Sequence, residues 1–407
     1  MKKIKLIAFI YFGLTIIEIL CSYVTTATLS QVFWGIVFMW MCLGLVLIGY
    51  CTSNNIELRW KRRLRLELPH KIYYGSTILF VIAGIIIITK FYTGMGPITI
   101  VSNLVHGVSN YNCYQEYFNS MGIAQLSAKK IWIVLLNGCI ELAIVMGVIR
   151  FFGVKKTVKE ILLFSCLIGG KLYFGLARGT NFEVFQIVFL LTYILWTSKP
   201  DKKISPKLIV ITCIAALGCG ILLLYVIRLR GIEQDAIRIA GDITFDRQNY
   251  LVENFPEVSV LITSLAGYLG IGIFYLSHYI EKYFFSGLGY ILPNLSILVG
   301  EGNYVEDEFL DSIAYIPDMV PMLHALGLVC SLMVFVLIGI LIKRLEKEEG
   351  MVYRALEFYL VYELFSMPVS SFIGVSSASK ISILILLILL FVGENKKKRR
   401  EVENVNL

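Results

Sequence analysis

About ten stretches of this chain are each long and apolar enough to cross a bilayer as a helix: 6–24, 31–50, 72–90, 131–152, 160–177, 181–198, 207–227, 320–342, 355–373 and 376–393. A hydrocarbon core about 30 Å thick needs roughly 20 residues at a rise of 1.5 Å each. With 57% hydrophobic and only 16% charged residues, and a mean hydropathy of +0.75, a chain of 407 residues has more apolar surface than a water-soluble fold can hide. The runs are continuous rather than alternating, which argues against a β-barrel. The sequence therefore predicts an all-α polytopic membrane protein of about ten transmembrane helices, twelve at most, forming a single integral membrane domain over 1–407 with no appended soluble domain. The opening stretch MKKIKLIAFIYFGLTIIEIL reads as a retained first helix, because no small-residue cleavage site follows it.

The charges between the runs set the expected orientation. Lys2, Lys3 and Lys5, the RWKRRLR stretch with Lys71, Arg150 with KKTVK, Lys199 to Lys207, KRLEKEEGMVYR and the terminal KKKRR hold most of the 37 Lys and Arg, and they fall on alternate loops. Positive charge is retained on the cytoplasmic side, so both termini and these loops are expected there. Two longer connections are left outside: 91–130, and 228–319 of about 90 residues. Within the second, VSVLITSLAGYLGIGIFYLSHYI (258–280) is long enough to span. The flanking charge demands an even number of crossings, so either this segment and SGLGYILPNLSILVG both cross or neither does. Its Gly, Tyr and His content favours a membrane-associated external helix. The nine cysteines show no CxxC spacing, so neither a disulfide framework nor a metal site is expected.

The stretch KLYFGLARGTNFEVF (171–185) puts two cations where lipid penalises them. Charge parity places Arg178-Gly179 at an outer turn, and Thr180-x-x-Glu183 has the spacing of a capping box opening the next helix. A helix N-terminus offers N–H groups and partial positive charge to an anion. Lys171 lies seven residues before Arg178, two turns along the same helical face and about 10 Å away. These groups are suited to a phosphate-bearing ligand at the outer leaflet. The alternative reading has Arg178 capping the carbonyls that end one helix while Lys171 snorkels. Arg228 and Arg230 close the run YVIRLRG against the positive-inside preference. With Arg238 and Arg247 they form a candidate anion-binding rim, arginine being a planar bidentate partner for phosphate. A solvated loop paired to Asp235, Asp242 and Asp246 is the competing view.

His324, in YIPDMVPMLHALGLV, is a candidate general base, and His278 a second outer histidine. Asp318, Glu301, Glu306, Asp307, Glu308 and Asp311 are alternative bases. Tyr250, Tyr268 and Tyr275 are candidates for stacking on sugars. Glu18, Glu141, Glu363 and Lys380 lie in or near helices and either pair across the bundle or line a wet cavity. No Walker loop, DxD or HExxH occurs, so neither ATP drive, a metal ion nor another cofactor is expected, and the short basic loops match membrane topology rather than nucleic-acid binding.

In layout, and in the pieces LARGTNFEVF, RLRGIEQDAIRIAG and PMLHALGLV, the chain resembles the oligosaccharide repeat-unit polymerases, the Wzy family of O-antigen and capsule synthesis. The resemblance implies a multi-pass protein of the bacterial cytoplasmic membrane, possessed of one large external loop and sometimes served by a chain-length regulator. It implies en bloc transfer of a glycan from undecaprenyl diphosphate to the non-reducing end of another lipid-linked repeat unit. On that view Lys171, Arg178, Arg228 and Arg230 hold diphosphate, Arg247 and His278 belong to the same diphosphate- and sugar-binding set, Tyr250, Tyr268 and Tyr275 stack on sugars, and His324 or a loop acid takes the acceptor's proton. A flippase for the same lipid-linked glycans and an O-antigen ligase are the alternatives. The flippase is disfavoured by the long external loop.

Overall fold

A computed structural model describes residues 1–53, 70–122, 125, 127–155, 157–180, 182–197, 243–284, 291–292, 316–348, 350–370, 373 and 376–390. Among them the chain is almost entirely helical, and the only strand-like pairing is one antiparallel bridge between Thr25 and Phe245. Helices α1 (Lys2–Val24), α2 (Ser30–Thr52), α3 (His70–Thr93), α4 (Pro97–Val105), α5 (Asn110–Ser120), α6 (Ala128–Gly153), α7 (Val158–Arg178) and α8 (Phe182–Thr197) are followed by α9 (Pro256–Lys282), α10 (Met319–Lys347), α11 (Met351–Ser366) and α12 (Ser377–Leu390).

Seven of these helices are long and apolar enough to cross a membrane: α1, α2, α3 over Gly75–Thr93, α6, α7, α9 and α10. The chain is thus a multi-pass helical membrane protein. Six of the seven coincide with runs expected from sequence. The seventh, α9, covers 258–280, expected either as a membrane-associated external helix or as one of a pair of crossings: it is one helical run of 27 residues whose most apolar window is half buried. Gly270 packs on Glu18 of α1, and Tyr275 and Tyr279 are buried, which the period of apolar residues does not reveal. The expected spans at 181–198, 355–373 and 376–393 contain described helices α8, α11 and α12, the first two of 16 residues each and the last reaching only Ser377 to Leu390. The expected span 207–227 lies outside the described residues.

The chain divides into two compact units. The first comprises Met1–Leu58, Glu233–Lys347 and Leu360–Val375. Here α2 packs antiparallel on α10 through a reciprocal pair of glycines. A Cβ on Gly49 would run into the carbonyl oxygen of Val336, and one on Gly339 into that of Val46. Small residues let helix backbones approach closely where lipid supplies no hydrophobic drive between helices. Gly35 does the same against the Ile273 carbonyl of α9. At one end of this unit, Lys3 and the Met1 amino group reach Glu346 at 3.5 and 3.4 Å, and Lys343 donates to Tyr50 at 3.3 Å. The start of α1 and the end of α10 therefore share one end, as expected of two basic segments assigned to the same side. At the other end, Thr26 N–H donates to Thr244 O (2.9 Å) and Asn249 Nδ2 to Tyr23 O (2.8 Å), stitching the approach to α9 onto the end of α1.

The second unit comprises Arg59–Ile232, Glu348–Tyr359 and Ser376–Leu407. Its helices α3, α6 and α7 pack on one another, again at small residues: Gly170 of α7 faces Ile85, and Gly84 of α3 faces Ile140. The region 91–130, expected as an external loop, contains α4 and α5. Arg150 closes α6 by pairing with Glu160 in the first turn of α7 (3.2 Å), and Thr157 caps α7 by accepting from Glu160 N–H at 3.3 Å.

Candidate functional site

Helix α7 carries Lys171 and Arg178 on one face, as the seven-residue spacing predicts. What the sequence did not show is that each cation has a carboxylate of its own. Lys171 Nζ lies 3.3 Å from Glu141 Oε2 of α6, and both side chains are buried. The other Glu141 oxygen accepts from Gln186 Nε2 of α8 (3.1 Å), the Tyr359 hydroxyl of α11 (3.3 Å) and Ser379 Oγ of α12 (2.5 Å). One carboxylate thus gathers donors from four helices. Burying an ion pair repays its desolvation only when the remaining lone pairs are met in this way. Beside the pair is a cavity of ≈ 10 Å³ lined by Ile85, Ile88, Asn137, Ile140, Ile144 and Phe174 as well as the two charged residues, which is room for about one water.

Two turns further, α7 ends in a Schellman motif. Gly179 takes the left-handed conformation (φ 60°), its N–H bonds Leu176 O (3.2 Å), and Thr180 N–H bonds Gly175 O (3.0 Å). Asn110 Nδ2 donates to Leu176 O as well, at 3.1 Å. The helix end is therefore satisfied by backbone and Asn110, and the alternative of Arg178 as the carbonyl cap is not what forms. Instead Arg178 donates to Glu183 Oε1 at 2.9 Å, and the Thr180 hydroxyl donates to Glu183 Oε2 at 2.7 Å. The expected capping box thus takes a different form: Glu183 is a counter-ion, held by the hydroxyl of the residue meant to cap with it. Glu183 is 1% exposed and the Arg178 side chain 27%.

The guanidinium carbon sits 5.2 Å from the ring centre of Tyr114 and 5.3 Å from that of Phe174, within cation–π range. Tyr92 stacks on Phe118 (6.4 Å, 16° between planes) and also meets Phe174 at 6.3 Å. Tyr111 and Phe118 flank Tyr114 at 6.3 and 5.6 Å. Helices α3, α5 and α7 thus build an aromatic cluster around one arginine, whose Nε is buried with no partner among the described residues. Phe174 belongs to both sites: it lines the Lys171 cavity on one side and underlies Arg178 on the other.

Protein-family models, curated proteins and solved structures give no match to this chain.

The other sequence candidates are distributed as follows. Arg228 and Arg230 lie outside the described residues, as do Arg238, Glu301, Glu306, Asp307, Glu308 and Asp311. Arg247 and Tyr250 are exposed in the approach to α9, where Tyr250 meets the Phe255 ring edge-on at 6.2 Å. His278 and Tyr268 are half-buried on α9. Tyr275, expected to stack on sugar, is a core residue of the first unit at 6% exposure, because α9 packs there instead of lying on the surface. His324 is buried near the start of α10, 3.5 Å from the Tyr279 hydroxyl. Three residues after it, Gly327 (φ 69°) kinks the helix, and Ser331 Oγ bonds Met322 O across the kink at 3.1 Å. Asp318, among the alternative bases, shares a hydrogen bond with Glu363 of α11. Lys380 is exposed. No cluster of three or more His, Cys, Asp or Glu suited to a metal occurs among the described residues.

Sequence reasoning left out Glu183 as a counter-ion, the ring of aromatics from 92–118 and the three neutral donors on Glu141. The only signal for the last was chemical: an intramembrane lysine needs a partner, and Glu18, Glu141 and Glu363 all qualified on paper.

Proposed function

We propose that this protein polymerises oligosaccharide repeat units carried on undecaprenyl diphosphate, acting as a metal-independent glycosyltransferase at the outer leaflet of a bacterial cytoplasmic membrane. The observation that supports the reading is the Arg178 cluster: a guanidinium fixed at a helix end by Glu183 and surrounded by Tyr92, Tyr111, Tyr114, Phe118 and Phe174. Aromatic faces stack on sugar rings, and a planar cation with unused donors takes phosphate oxygens. A lipid diphosphate is already a competent leaving group. The protein must chiefly neutralise the charge that develops as the sugar's C1–O bond breaks and the acceptor hydroxyl attacks. Glu183 lowers the net pull of Arg178 on an anion, so the half-buried rings of Tyr92, Tyr111 and Phe118 carry more of the recognition than the cation alone would.

Deleting the gene and resolving surface glycan by gel separates the readings. Glycan of one repeat unit supports the polymerase. Loss of surface glycan with lipid-linked units trapped inside supports the flippase, and full-length polymer left on its lipid carrier supports the ligase. Within the polymerase reading, Arg178→Gln combined with Glu183→Gln removes the cation without stranding its buried partner. We expect normal protein level, retained one-unit product and no long chains. Full-length polymer from that double variant would sink the assignment of Arg178.

A further inference from the structure

We propose that Glu18 of α1 and the π-helical segment Ala266–Gly270 of α9 form a proton-binding site within the first unit, with the carboxyl holding its proton in the structure described here. Glu18 is 0% exposed, and neither of its carboxyl oxygens has a hydrogen-bond partner among the described residues. Both helices are long and apolar enough to cross a membrane. An ionised carboxylate in such a place carries a desolvation penalty with nothing to offset it, so the stable form there is the neutral acid. The neutral acid contributes no bond to the fold either. A leucine would pack there at less cost, so the acid has to be accounted for by its chemistry.

The facing backbone is not an ordinary helix. In Ala266–Gly270 the Ile271 N–H bonds the carbonyl of Ala266, five residues back. Such widened turns recur inside helices at functional positions. Glu18 Oε1 occupies the place a Cβ on Gly270 would take, so the carboxyl sits directly on the π turn. That approach leaves no room for a metal cation between acid and backbone, which is why the ligand assigned is a proton rather than sodium.

The titratable surroundings are sparse. On α1, Cys21 lies one turn along, and the buried Ser22 hydroxyl, likewise without a partner among the described residues, is four residues on. Tyr268 is the only titratable side chain of the π segment, and α2, which also packs on α1, carries no charged residue. Pro256–Leu265, which also packs on α1, carries Glu257 in its first turn, about 20 Å along the helix from Gly270, and no nearer group on these elements is a base. The O–H proton can therefore leave only to water, and water reaches it only if α1 and the π turn part. Loading and unloading of the proton are thereby tied to movement between the two helices.

Dicyclohexylcarbodiimide tests this on the full chain in lipid nanodiscs. The carboxyl proton passes to a carbodiimide nitrogen, the carboxylate oxygen adds to the central carbon, and rearrangement leaves an N-acylurea found by peptide mass spectrometry. We expect adduct at Glu18 that falls by about tenfold per pH unit once the group has titrated and is unchanged when sodium chloride replaces choline chloride. Absence of adduct at every pH, adduct that ignores pH, or protection by sodium at fixed pH would each overturn the proposal. A second readout needs no reagent access. Glu18→Gln keeps the neutral shape, so its melting temperature should match wild type in acid and exceed it increasingly as pH rises. Parallel curves for the two proteins would also overturn it.

Discussion

Replacing Glu141 by alanine is expected to destabilise the protein more than any other single side-chain truncation in the second unit. The change strands the Lys171 ammonium, 7% exposed, inside the helices. It also removes the acceptor for Gln186, Tyr359 and Ser379 at once. Breaking a buried pair from one side costs about 3–5 kcal/mol, and each orphaned neutral donor adds about 1–3 kcal/mol before relaxation. Lys171→Met should cost less, because Glu141 keeps three donors on one oxygen. Glu141→Gln combined with Lys171→Met should recover most of the loss, since it restores charge balance while leaving an amide oxygen for the same donors. The ranking can be read from melting temperatures in one detergent. If Glu141→Ala melts with the wild type, the four-helix network contributes little to stability.

The second large effect is steric. Gly339→Val and Gly49→Val each drive a branched side chain into backbone, the carbonyls of Val46 and Val336 respectively. A backbone oxygen cannot rotate aside, so α2 and α10 must separate along their whole contact. Overpacking typically costs about 1–3 kcal/mol. Here the loss of close approach, with its dispersion and Cα–H···O contacts, places the expected cost at the top of that range. Because the two glycines are reciprocal within one interface, the double variant should cost less than the sum of the singles. Gly44→Ala, at a position with open space around it, is the control and should be neutral or slightly stabilising. Equal melting of the Gly44 and Gly339 variants would show that this helix pair does not hold the unit together.

The Lys171–Arg178 stretch shows how far residues alone carry the site. Seven residues on a helix fix one face, so the alignment of the two cations was legible. Their pairing was not, because Glu141 is 30 positions from Lys171 and three intramembrane glutamates were equally eligible. Glu183 was visible, but its spacing to Thr180 also fits a cap, and only the contacts of its two oxygens with Arg178 and the Thr180 hydroxyl show it to be a counter-ion. The aromatics of α3 and α5 were unremarked, since rings in a connection between spans have no period that points to an arginine 60 or more residues onward. The packing of 258–280 was hidden for the same reason. Glycine, tyrosine and histidine lower its apolarity toward that of a surface helix, whereas in the fold Gly270 meets Glu18 of α1, and Tyr275 and Tyr279 are buried.

What the sequence determined by itself was the solvent and the secondary structure: long apolar runs must be helices, because lipid offers the backbone no other partners. Basic loops gave the expected orientation by the same kind of one-dimensional rule. What only the tertiary structure decided was which charges meet. An ion pair, a glycine contact or a solitary acid against a π turn depends on two helices approaching within a few ångströms, and that distance is set by packing between segments far apart in the chain.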